Sequence, residues 1–314
     1  MKGDPTLAAR LTSRLRLPVF AGPMFIASTA DLVIAQCKAG IIGSMPALNP
    51  RTSQALDADI ARIKASLIDD DAPYAVNLVG HKTNDRLAAD LAIVVRHKVP
   101  IVVLALAADR GIVDAVHAYG GIVFNDVVSN RQALKCAELG VDGIIAVCAG
   151  AGGHTGRLSP FALVNETREW WAGPLALSGC IATGQGVLAA RAMGADLAYI
   201  GSPFLASDEA NTQAEFKRMI VDSASGDLLV TNSFTGVDAS FLKPSILANG
   251  LDPANLVRAA GVEISIKDGG ADAKAWRDIW SAGQGIGAIK RSGPAADYIA
   301  QLAREYETAR AAFV

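Results

Sequence analysis

The residues best suited to chemistry stand in one run, Ala149-Gly150-Ala151-Gly152-Gly153-His154-Thr155-Gly156. Four glycines in these eight residues let the backbone pass close to a planar ligand. Histidine is the side chain suited to taking a proton near neutral pH. Two other turns, Ser178-Gly179-Cys180 and Gly201-Ser202, carry small residues whose N–H groups can approach a phosphate. Pro203 has no N–H, so Gly201 and Ser202 must supply the amides there. Asn77 offers both a donor and an acceptor to a ring or substrate edge. Asp126 is open to three roles: a base, an orienter of His154, or a hydrogen-bond partner of a ring. Its competing structural role is a helix N-cap, which Ser129 fills better. Gly22, Pro23 and Met24 follow the first apolar run, and Met24 is open to a core or a cofactor-wall role. Residues 280–285 form a second small-residue patch, with the amide of Gln284 able to turn back toward the phosphate end.

These residues need a scaffold that brings them to one place. Short apolar runs at 18–22, 41–45, 73–78, 101–106, 121–125, 143–147, 174–178 and 197–201 alternate with amphipathic segments. Continuous apolar runs of this length are strands buried on both faces, as in a parallel sheet. Helical patterns lie at 30–39, 51–68, 84–97, 110–118, 129–139, 160–171 and 184–193. Several end on a glycine (Gly40, Gly140, Gly194) that suits a left-handed cap before the next strand. Eight such units predict an α/β fold, a (β/α)8 TIM barrel whose post-strand residues converge on one mouth. A doubly wound open sheet is the runner-up, but no GxGxxG follows the first strand. Residues 208–275 break the rhythm and read as a mostly helical insertion, with a helix over 208–222 capped by Ser207. The expected division is a barrel over 1–207 plus 276–314, with 208–275 as a lid over the mouth or a packing elaboration. A last helix spans about 290–311.

Composition removes several classes of function. Among 314 residues, 29 Lys and Arg face 31 Asp and Glu, so no basic excess exists for nucleic acid or an anionic membrane. Apolar residues at 51% and charged ones at 19% exclude a disordered chain. Cys37, Cys136, Cys148 and Cys180 have neither CxxC nor His-pair spacing, which argues against zinc and disulfides. Four buried thiols in the cytoplasm are expected. Residues 17–30 after Arg10, Arg14 and Arg16 share the outline of a signal peptide. Asp4 and two prolines oppose that, and a first strand with its loop fits better. His97 and His117 fall at helix ends on the stability face, while His81 is on the mouth side.

Taken in order, Gly-Pro-Met at 22–24, Val-Asn-Leu at 76–78, Ala-Gly-Gly-His-Thr-Gly at 151–156, Leu-Ser-Gly at 177–179, Gly-Ala-Asp-Leu-Ala-Tyr-Ile-Gly-Ser at 194–202 and Trp-Ser-Ala-Gly-Gln-Gly at 280–285 resemble the nitronate monooxygenase family, formerly 2-nitropropane dioxygenase. The resemblance runs from about residue 17 to 290. It implies an FMN-containing barrel, a phosphate held by the turns at 178–180 and 201–202, and His154 at the position of the catalytic base. The chain departs from the family pattern at Cys180, where glycine is common, and at Ser202-Pro203 in place of Thr-Arg. Ser202 keeps the hydroxyl, and Cys180 keeps a backbone N–H.

The implied reaction is FMN-dependent oxidation of alkyl nitronates or nitroalkanes by O2 to a carbonyl compound and nitrite. Its partners would be a nitronate or related small organic anion and O2, with a homodimer as the assembly to test. An NAD(P)H-dependent flavin reductase of quinones or enoyl thioesters is the alternative. A flavin-free lyase or isomerase of a phosphorylated metabolite is the third.

Overall fold

The computed structural model describes residues 2–81, 83–106, 109–259 and 275–312. Eight parallel strands form the barrel: β1 (Val19–Ala21), β2 (Gly43–Pro46), β3 (Tyr74–Val79), β4 (Ile101–Ala105), β5 (Ile122–Val127), β6 (Gly143–Val147), β8 (Leu175–Ser178) and β9 (Leu197–Ile200). They pair in chain order, β9 returns to β1, and a Phe20–Ile42 bridge joins β1 to the β2 side. The short strand β7 (Gly153–His154) lies outside this sheet. The helices between strands are α2 (Ala30–Lys38), α3 (Ser53–Ser66), α4 (Leu87–His97), α5 (Arg110–His117), α6 (Asn130–Glu138), α7 (Pro160–Arg168) and α8 (Gly184–Ala192). Thr29, Thr52, Asp109, Ser129, Ser159 and Thr183 cap six of them, each accepting a first-turn N–H. Gly40, Gly140 and Gly194 take φ of 91°, 89° and 105° at the helix ends. The eighth unit is completed late in the chain, where α11 (Ala295–Ala312) packs against α8 and α2.

Two apolar layers hold the barrel. Side chains alternate in direction along a strand. The inward set includes Phe20, Ile42, Ala75, Phe124, Ala176 and Leu197, and α1 (Pro5–Thr12) adds Leu7 and Leu11 to the same cluster. The outward set packs under the helices. Residues 17–30 are β1 and its loop, running into the start of α2.

After β9 the chain makes a 3-10 turn over Ser202–Ala206, then α9 (Ala214–Asp222), strands β10 (Leu228–Thr231) and β11 (Ala239–Leu242), and α10 (Lys243–Ala248). The helix expected over 208–222 therefore starts later. Ser207 is buried and closes the 3-10 turn by donating its N–H to Phe204 O, so it does not cap α9. The hairpin of β10 with β11 went unforeseen, because its polar and apolar residues do not alternate cleanly. The rest of the insertion, 260–274, lies outside the described residues.

One packing contact tests the closure of the helix ring. A Cβ on Gly184 would meet Tyr306 N at 2.2 Å and Leu302 O at 2.4 Å, both backbone atoms of α11. A Cβ on Gly226 meets nothing within 4 Å. Gly184→Ala is expected to destabilise by about 2 kcal/mol or more through overpacking, and Gly226→Ala by under about 0.5 kcal/mol. Urea denaturation of the two variants checks this.

Candidate active site

The C-terminal ends of the strands open into one cavity of about 1910 Å³. Strand alternation explains what faces it. Two residues beyond the inward core positions Phe20, Ala75, Phe124, Ala176 and Leu197 stand Gly22, Asn77, Asp126, Ser178 and Tyr199, all on the wall. Asn77 and Asp126 thus sit within β3 and β5 rather than after them. Asn77 is buried, and its amide donates to Val103 O at 3.1 Å. Burial pushes the Asp126 carboxyl up to about 6. Tyr199, missed from sequence, packs edge-on against Phe20 at 5.2 Å. Burial, and then the nearby Asp126, push its phenol well above the usual range. The signal that finds Tyr199 is the same alternation that places Asn77.

His154 does not lie in a free loop. Gly153 and His154 form β7 and pair antiparallel with Ser240 and Ala239 of β11. The imidazole borders the cavity, meets Trp276 edge-to-face at 5.5 Å, and buries Nε2 without a hydrogen-bond partner among the described residues. Burial lowers its pKa below the ordinary histidine value, so the neutral ring is favoured.

The glycine run packs backbone on backbone. A Cβ on Gly152 would lie 2.8 Å from Gly283 N, and one on Gly283 would lie 2.8 Å from Gly150 O. The Gly283 N–H donates to Ser202 Oγ at 2.7 Å, and the Gly153 N–H donates to Ser281 Oγ at 2.8 Å. Gly150 lies against Cys180, and Gly152 against Ser202, so the run joins the two small-residue turns along one side of the cavity. The N–H groups of Gly179, Gly201 and Ser202 find no acceptor among the described residues. Free amides beside a cavity suit an anionic group such as a phosphate. The Cys180 N–H is different, because it donates to Gly150 O at 3.2 Å.

The family model described as nitronate monooxygenase matches residues 48–305. The chain belongs to the nitronate monooxygenase family. A nitronate monooxygenase of Paraburkholderia phytofirmans is 28% identical over 92% of each chain. An octahydroindene-carboxyl-CoA dehydrogenase of Rhodococcus jostii is 26% identical over 76% of this chain and 64% of that one. Among solved structures, nitroalkane oxidase from Streptomyces ansochromogenes superposes with a TM-score of 0.81, at 25% identity over 97% of this chain and 99% of that one. As a nitronate monooxygenase family member, the chain is a flavin-dependent oxidoreductase built on a TIM barrel.

The other residues singled out in the sequence fall partly on the cavity wall and partly off it. Pro23, Met24, Gly152, Gly153 and Gly201 border the cavity with those above. Gln284 does not; its side chain is exposed and its N–H donates to Gly150 O at 2.9 Å. His81 is off the wall, with Nδ1 against Thr83 Oγ1 at 2.8 Å. His97 pairs with Asp57, and His117 with Asp142, away from the mouth. Cys37, Cys136 and Cys148 are buried, but Cys180 is exposed at a φ of 59°, so the thiols are not all interior. Sequence reading also missed Phe234, Phe241 and Trp276 as a group, which the insertion brings together.

The Asp126 carboxyl has a measurable signature. Its folded pKa lies above the unfolded value, so between about pH 4 and 6 the folded state holds more protons. Wild-type stability therefore falls as pH rises through that window, and the loss is complete above it. Asp126→Asn is expected to be more stable than wild type by about 1–3 kcal/mol at pH 8, with the gain shrinking toward pH 4. Chemical denaturation at both pH values measures it.

Proposed function

We propose that this family member binds FMN and oxidises alkyl nitronates with O2 to a carbonyl compound and nitrite, accepting nitroalkanes through a prior deprotonation. The observation that carries this reading is His154: an imidazole on the cavity wall whose neutral form is favoured by burial. Bound in the cavity, the flavin would accept electrons from substrate and pass them to O2. The chain's own groups would do the rest. Free N–H groups of Gly179, Gly201 and Ser202 would hold the phosphate. Asn77 and Asp126 would face the ring edge. His154 would take the α-proton of a nitroalkane on the ring nitrogen that faces the substrate, leaving a nitronate anion beside an imidazolium. The two residues of β7 keep that ring in place while the insertion wall keeps water away. The described part of the insertion, 208–259, would then act as a cover over the mouth. Three buried thiols suit a cytoplasmic enzyme.

A second reading draws on size. The cavity exceeds the roughly 300–1,000 Å³ usual for a small-ligand pocket, and one relative is named for a CoA thioester. That reading is an NAD(P)H-dependent reduction of a quinone or enoyl thioester.

The purified protein is expected to be yellow and to release nitrite from propyl-1-nitronate in air. His154→Asn is expected to keep its flavin but lose about 100-fold or more in kcat/KM on nitroethane, with nitronates less affected. The wild-type rate on nitroethane should hold level to below pH 6.5 and fall only as the imidazole protonates. Equal rates on nitroethane before and after substitution would remove His154 from the role of base. Rapid anaerobic bleaching of the flavin by NADPH, with no nitrite formed, would favour the second reading.

A further inference from the structure

Trp276 stands out on three independent grounds. It holds a φ of 71°, a conformation that bulky L-residues rarely adopt. A tight turn maintains it: the Trp276 N–H donates to Ile279 O at 2.9 Å, Ala275 bridges to Ile279, and Ile279 is fully buried. The indole faces the cavity and meets the His154 ring edge-to-face. Behind it an aromatic cluster backs the wall. Phe241 of β11 lies 5.2 Å from Trp276, and Phe234 lies 5.0 Å from Phe241. These rings share a small core with Ala239 and Ile246. Nearby charges are tied to each other at the rim, Arg157 to Asp238 and Arg277 to Asp278. The ring wall beside His154 is apolar, with Arg157, Asp238 and Arg277 of these charged pairs bordering the same cavity, and backbone strain is retained to present it.

We propose that Trp276 is a specificity-determining residue, whose indole forms with the imidazole of His154 an apolar slot for the hydrocarbon body of the substrate. The reacting carbon then lies against the imidazole while the alkyl chain lies along the indole. The substrates favoured are those with a chain or ring of several carbons beside the acidic carbon. This deepens the nitronate reading and rests on it for the chemistry, though not for the slot.

Two measurements on the purified holoenzyme separate the slot from the chemistry. The first is kcat/KM by nitrite release along nitroethane, nitropropane, nitrobutane and nitrohexane. The second is equilibrium binding of straight-chain carboxylates from acetate to hexanoate by calorimetry, which needs no turnover. Wild type is expected to gain about three- to four-fold per methylene in both series. Trp276→Asn, a residue that tolerates left-handed backbone, is expected to flatten the gain to under about two-fold. Trp276→Phe is expected to retain most of it. A length dependence unchanged in Trp276→Asn, or a flat dependence in wild type, would overturn the slot. Absence of nitrite from every nitroalkane, with the carboxylate series still rising in wild type and flat in Trp276→Asn, would overturn the nitronate reading and leave the slot standing.

Discussion

Two residues of antiparallel pairing govern the geometry of the site. Gly153 and His154 bond to Ser240 and Ala239, so a strand that begins in the loop after β6 is completed by a strand from the insertion some eighty residues later in the chain. Without that pairing, a glycine-rich segment would leave the imidazole free to turn. With it, the Cα–Cβ direction of His154 is held, and packing against Trp276 sets the ring edge-to-face with Nε2 buried. The described part of the insertion therefore contributes to the cavity wall rather than decorating a finished barrel.

A second constraint is backbone approach. Gly150, Gly152 and Gly283 allow the glycine run, the Ser202 turn and residues 281–284 to come within van der Waals contact of one another. The serine hydroxyls of 202 and 281 then satisfy N–H groups that this close packing would otherwise strand. Along the same side, the amides of Gly179, Gly201 and Ser202 stay available to a ligand. The site thus has a polar side made of backbone, whose free N–H groups suit an anion.

Three titratable side chains on the cavity wall are held toward their uncharged forms. Burial pushes His154 toward the neutral imidazole, Asp126 toward the neutral acid and Tyr199 toward the neutral phenol. One cause acts on all three: a wall of barrel and insertion residues excludes the water that would stabilise their charged forms. An anionic tail on the amide side and an uncharged ring over the side chains fit such a division.

Much of this was legible from the chain alone. Apolar runs such as Ile101–Ala105 and Gly143–Val147 determined the parallel barrel, because only a sheet covered on both faces buries them. Helix ends were equally plain at Gly40, Gly140 and Gly194, and Ser129 was the better cap than Asp126. Motif order singled out the glycine run, His154 and the two small-residue turns. Only the tertiary structure decided that Gln284 is not among the residues lining the cavity and that the Cys180 N–H turns to Gly150. It alone assembled Phe234, Phe241 and Trp276 over the imidazole. The physical reason is range. Strand burial and capping depend on neighbours a few residues apart, whereas the wall of this site depends on contacts between segments far apart in the chain, for which local pattern carries no signal.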